Sequence, residues 1–137
     1  GGLALANAGL GLVHGLAAPI GGAFPAPHGA VCAALLPHGV AANLKALGRR
    51  RPVHPVLERF RTVARLLTGN PAAEPQDGVD ALRQLVRSLG IPPLRTYGIG
   101  PEHFAALARG AAAASSMKAN PIPLETDEIL ELLHAAT

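Results

Sequence analysis

Tryptophan is absent, cysteine and methionine occur once each, and aromatic residues make up only 3% of the 137 residues. With Cys32 as the single thiol, no internal disulfide framework can form, and the chain fits a reducing, cytoplasmic compartment. The shortage of aromatic rings leaves Leu, Ala, Val and Ile to build the core, since 49% of the chain is hydrophobic. Charge is also scarce, at 15%, and no charged residue stands between Gly1 and Val40. A surface so poor in charge is expected to be partly covered, which points to a homo-oligomer. No apolar run is long enough, and free enough of Pro and Gly, to read as a membrane span. The stretch from Leu3 to Ile20 comes nearest, but Gly-rich and Pro-rich sequence follows at once. No basic leader precedes the first apolar run, Met117 is the only methionine, and the chain opens on Gly1-Gly2. The expectation is therefore a piece of a longer polypeptide.

The net charge of +3 is too diffuse for a nucleic-acid surface. Basic residues cluster only at Arg49-Arg50-Arg51, read as a solvated loop, and Phe24, Phe60, Phe104 and Tyr97 are the only rings able to stack on bases.

Helical punctuation runs through the chain and strand signals are nearly missing. A first helix is expected over Leu3 to Ile20, apolar on every side and broken by Gly21-Gly22. A second begins near His28 and runs toward Leu44 or Leu47 with Pro37 inside it. Val56, Phe60, Val63 and Leu67 mark a third, stopped by Gly69-Asn70-Pro71. Val79, Leu82, Val86 and Leu89 stripe a fourth, from Asp77 to Gly90. Gly100-Pro101-Glu102 opens a fifth, reaching about Ala114. Ser115 to Pro121 reads as an irregular link, and Thr126-Asp127-Glu128 caps a last helix. The fold class that follows is all-α, a compact bundle of about six helices.

Two histidines carry the chemistry. His14 and His28 flank the expected reversal between the first two helices, each set among Gly, Ala and aliphatic residues. A polar ring buried in such surroundings needs a partner, and a shared metal ion would satisfy both. Gly15 and Gly29, beside the two rings, would leave room for a cation or cofactor. Two ligands alone do not complete a zinc or iron shell, and a hydrogen-bonded core histidine is the plainer reading of either one. Cys32, one turn beyond His28, reads as a buried inert thiol because nothing positive lies near it. His38 reads as part of a half-exposed polar face, and His54, His103 and His134 as surface positions. Gly9-x-Gly11 lacks the third glycine and the preceding strand of a dinucleotide fingerprint. Ser115-Ser116-x-Lys118 has no helper motif and reads as a helix-end loop. No catalytic residue is assigned.

The segments Gly11-Leu12-Val13-His14-Gly15-Leu16-Ala17, Gly21-Gly22, Pro27-His28-Gly29, Cys32-Ala33 and Leu35-Leu36-Pro37-His38, with Asn43 after them, resemble the iron-containing (group III) alcohol dehydrogenase family. Ser115-Ser116-Met117-Lys118-Ala119-Asn120-Pro121 is similar to a C-terminal signature of the same family. The resemblance implies that residues 1–137 form the later part of a dehydroquinate synthase-like, all-α metal-binding domain. An N-terminal nucleotide-binding domain would lie upstream and is absent from this sequence. It further implies four metal ligands, an Asp and a His upstream and two His that match His14 and His28. The implied cofactors are Fe2+, or Zn2+, together with NAD or NADP. The implied reaction is hydride transfer between a small alcohol or carbonyl substrate and the nicotinamide ring, with this part of the enzyme inactive alone. The family often has a further His four residues after the first. Ala18 stands there, which leaves a maleylacetate reductase-like oxidoreductase as an alternative. A non-enzymatic helical module, associating through the charge-free segment, is the alternative of a different class.

Overall fold

The computed structural model describes residues 8–137, in which six complete α-helices and two short 3-10 segments occur and no strand. The helices are α1 (Leu12–Ala23), α2 (His28–Arg50), α3 (Val56–Thr68), α4 (Pro75–Ser88), α5 (Pro101–Ala113) and α6 (Thr126–Ala136). The 3-10 segments, Leu94–Tyr97 and Ser115–Ala119, lie on either side of α5.

Several boundaries differ from the sequence reading. Leu3 to Asn7 of the expected Leu3–Ile20 helix lie outside the described residues. Beyond them, Gly9 (φ 69°) to Gly11 are not helical, and α1 starts only at Leu12. The cause is distant in sequence: Asn120 Oδ1 accepts the Leu12 N–H at 3.1 Å, satisfying an orphan donor of the first turn. At the other end, Gly21 and Gly22 stay helical, and the chain leaves the helix at Phe24. Of the Arg triplet, which is solvent-exposed as expected, only Arg51 lies beyond a helix. Arg49 and Arg50 form the last turn of α2, where cations suit the helix dipole. Arg50 reaches Glu128 (2.8 Å), Glu125 (3.4 Å) and the Pro123 carbonyl (2.9 Å), tying α2 to the start of α6.

Leu12, Leu16 and Ile20 of α1 meet Val31 and Leu35 of α2, Phe104 and Leu107 of α5, and Leu132 and Leu133 of α6 in one core. Fully burying each such side chain contributes about 1.5–3 kcal/mol. Among the described residues of the charge-free stretch, these side chains are core, whereas Gly21 to Ala23, Pro27 to Gly29 and Leu36 are exposed. Small residues set the close approaches. A Cβ at Gly39 would come within 3.1 Å of Val13, and one at Gly110 within 2.9 Å of Pro19.

α3 and α4 form a hairpin that docks on α2 through α4, while Val56, Leu57 and Phe60 of α3 pack against the cluster of Ala46, Leu47 and Ile122. Gly69 ends α3 in the left-handed region (φ 67°), as its place before Asn70-Pro71 predicts. Asp77 is not the start of α4 but its third residue, accepting the Glu74 N–H at 2.8 Å. Likewise Thr126 opens α6 after a Glu125 cap, whose N–H donates to Glu128 at 2.9 Å. Only Ala64 is buried in α3, so the expected apolar stripe there stays half open, with Val63, Leu66 and Leu67 exposed beside Leu85.

α2 is 23 residues long and apolar enough to meet a length-and-composition criterion for crossing a membrane. It carries Pro37 and Asn43 among its buried residues and packs against α1, α4 and α6, as a core helix does.

Candidate metal centre

His14 is the third residue of α1 and His28 the first of α2, and the four residues Phe24 to Pro27 turn the chain between them. Pro27 and its fixed φ lead directly into α2, so His28 stands at the helix mouth. The turn brings the rings together: their centroids are 5.4 Å apart and their planes inclined at 55°. Four residues along α2, Cys32 places its Sγ 3.5 Å from His28 Nε2. One donor atom from each of His14, His28 and Cys32 lies within 4.8 Å of the others.

Burial does not match the expectation of two enclosed rings. His14 is half-buried and His28 is exposed, because the first turn of α2 projects past the core. The space expected at Gly15 is also filled. A Cβ there would fall 2.5 Å from Met117 Sδ, so Gly15 admits the Met117 side chain against α1 rather than a cofactor. Gly29 has nothing within 4 Å of its Cβ direction, and the open side of the site is on its flank.

The donor set fits a divalent cation. Two imidazole nitrogens on a tetrahedral zinc, each bonded at about 2.0–2.1 Å, stand roughly 3.4 Å apart. Donors already within 4.8 Å reach that spacing by small ring rotations, which an exposed His28 is free to make. Cys32 is the member that the sequence reading set aside as inert. Its i, i+4 relation to His28 was the available signal. Burial pushes its thiol pKa up, so without a cation the sulfur stays protonated.

The other histidines have local work. His54 Nδ1 accepts the Val56 N–H (3.2 Å) and His103 Nδ1 accepts the Gly100 N–H (3.1 Å), each at a helix start. His134 meets Phe104 edge to face at 4.7 Å. His38 lines a cleft of about 150 Å³ between α2, α4 and α6, with Lys45, Arg83, Glu128 and Glu131 around it. Burial first, and Arg83 second, hold the His38 imidazole below its ordinary pKa.

Behind the site, Asn43 and Asn120 form a reciprocal amide pair, with Asn120 Nδ2 donating to Asn43 Oδ1 (2.7 Å) and Asn43 Nδ2 donating to Asn120 Oδ1 (3.2 Å). Asn120 also donates to the Ile122 carbonyl (2.8 Å). With the Leu12 N–H, its side-chain amide thus makes four bonds, linking the start of α1, the middle of α2 and the Ser115–Ala119 segment.

Comparison with known proteins agrees with this architecture. Residues 1–137 match the model of the "Fe-containing alcohol dehydrogenase family, C-terminal". The chain is 36% identical to lactaldehyde reductase of Escherichia coli K12 across 98% of its own length and 35% of that protein. It is 30% identical to alcohol dehydrogenase 4 of Saccharomyces cerevisiae S288c, over 98% of the chain and 34% of the relative. Among solved structures, the alcohol dehydrogenase from Oenococcus oeni superposes with a TM-score of 0.83 at 32% identity, covering 99% of this chain and 35% of that one. A crystal structure of 1,3-propanediol oxidoreductase gives 0.80 at 30% identity, over 93% and 33%. The chain thus spans about a third of the length of the relatives it matches.

Proposed function

Because the chain belongs to the iron-containing alcohol dehydrogenase family, we propose that it is the later part of the metal-binding helical domain of a nicotinamide-dependent alcohol dehydrogenase. In this reading His14 and His28 supply two ligands to a divalent cation, Fe2+ or Zn2+. The observation that carries it is the convergence of those two imidazoles across the α1–α2 turn. When bound, the cation supplies Lewis-acid polarisation of an alcohol or carbonyl oxygen during hydride exchange with NAD or NADP.

This chain's own residues hold the donors in place. The α1–α2 turn sets their spacing, and Met117 against Gly15 fixes the helix that carries His14. The exposed ring of His28 and the open flank at Gly29 are where further ligands and an N-terminal nucleotide-binding domain would close the site. The substrate is a small alcohol or carbonyl compound, in keeping with relatives named for lactaldehyde and 1,3-propanediol. Ala18, exposed one turn after His14, brings no third imidazole to that face of α1. That difference in side-chain chemistry keeps a maleylacetate reductase-like oxidoreductase open as the second reading.

Anaerobic calorimetry with Fe2+ or Zn2+ tests the ligand pair. The chain is expected to bind either ion weakly, to turn over no alcohol with NAD or NADP, and to lose at least about tenfold in metal affinity on His14→Ala/His28→Ala substitution. Unchanged affinity in the double variant would overturn the reading.

A further inference from the structure

The two-histidine reading leaves Cys32 unused, although its sulfur lies 3.5 Å from His28 Nε2. Cys32 follows His28 by one turn of α2 and shares its face. It is the only cysteine among residues 1–137. A tetrahedral zinc bonded to nitrogen at about 2.0–2.1 Å and to sulfur at about 2.3 Å holds those two atoms roughly 3.6 Å apart. The observed His28 Nε2 to Cys32 Sγ distance is 3.5 Å. A simple S–H to nitrogen hydrogen bond would give a similar separation, but it accounts for two atoms only. The ring of His14 comes from another helix to within 4.8 Å of both.

We propose that Cys32 is a third donor at this site, so that His14, His28 and Cys32 together offer two nitrogens and one sulfur to a borderline divalent cation. The proposal rests on the two-histidine reading and adds the sulfur to it. On binding, the S–H bond breaks, the proton passes to solvent, and the thiolate bonds the ion. A thiolate beside two imidazoles selects Zn2+ or Co2+ over Mg2+ and Mn2+, which prefer oxygen donors.

Cobalt titration of the reduced chain is the test, because Co2+ reports nitrogen and sulfur ligation by separate bands. The wild-type chain is expected to develop visible d–d bands together with a near-ultraviolet thiolate-to-cobalt charge-transfer band, both abolished by Zn2+. Cys32→Ser and Cys32→Ala should keep the visible bands, lose the near-ultraviolet one, and bind Zn2+ about tenfold more weakly. Far-ultraviolet circular dichroism checks that both variants keep their helices. Zn2+, but not Mg2+, should slow alkylation of Cys32 in the wild-type chain. Visible bands without the charge-transfer band, or alkylation indifferent to Zn2+, would overturn the role of Cys32 and leave the histidine pair standing. No cobalt spectrum at all would overturn both.

Discussion

Asn120 offers the sharpest test of how the site is held. Replacing it by Ala removes four hydrogen bonds at once: those with the Leu12 N–H, with both ends of the Asn43 amide, and with the Ile122 carbonyl. Leu12 and Asn43 are only 2% and 7% exposed, so water replaces these partners poorly. An orphaned buried polar group costs about 1–3 kcal/mol, and the Leu12 N–H, the Asn43 amide and the Ile122 carbonyl all lose a partner, giving roughly 3 kcal/mol after partial relaxation. Asn43→Ala is milder, because Asn120 keeps its bonds to Leu12 and Ile122, and should cost about half as much. Urea unfolding with an unchanged m-value is the measurement, and the larger loss corresponds to a fall in Tm of about 10 °C for a chain of this length. Since Leu12 precedes His14 by two residues, fraying of that first turn should also weaken zinc binding more in Asn120→Ala than in Asn43→Ala. A loss below about 1 kcal/mol for Asn120→Ala, or an equal loss for both variants, would refute the reasoning.

Two further outcomes follow from packing and charge. Gly78→Ala would drive a Cβ to 2.9 Å from Ala64 Cβ and 3.0 Å from its Cα, where backbone cannot yield cheaply, and should destabilise the α3–α4 hairpin by about 1–3 kcal/mol in thermal melts; a neutral or stabilising result would contradict the close approach. His38 is held neutral in the fold, so the unfolded chain binds its proton first as pH falls. Its contribution to stability is full above the ordinary imidazole value and is lost as pH drops through the lower folded value. His38→Gln should flatten the stability profile in that window. Arg83→Gln should flatten it less, since burial is the larger cause; equal flattening would reverse that order.

Most helices were legible because their signals are local. Gly69-Asn70-Pro71 stops α3 and Gly100-Pro101-Glu102 starts α5 where turn chemistry says they should. What escaped was set by partners far along the chain. Asn120 caps the first turn of α1, Glu125 and Glu128 anchor Arg50 at the end of α2, and Met117 fills the gap at Gly15. None of these pairings has a periodicity to read. The site divides in the same way. The meeting of His14 and His28 was readable from the reversal between their helices. The exposure of His28 was not, because burial depends on how far the first turn of α2 projects beyond its neighbours. Cys32 was within reach of the sequence, one turn from a histidine already singled out.

The three donors that this chain would offer to an ion, His14, His28 and Cys32, fall between positions 14 and 32, on two helices and the short bend joining them. Closing so small a loop forfeits little chain entropy, since that cost rises only with the logarithm of the intervening length. In the proposed reading, this chain's share of the ligands would come from a segment able to assemble early, with Met117 and Asn120 as its outside braces. The α3–α4 arm contributes none of those three side chains, so the spacing of His14, His28 and Cys32 is set by α1, α2 and their turn alone.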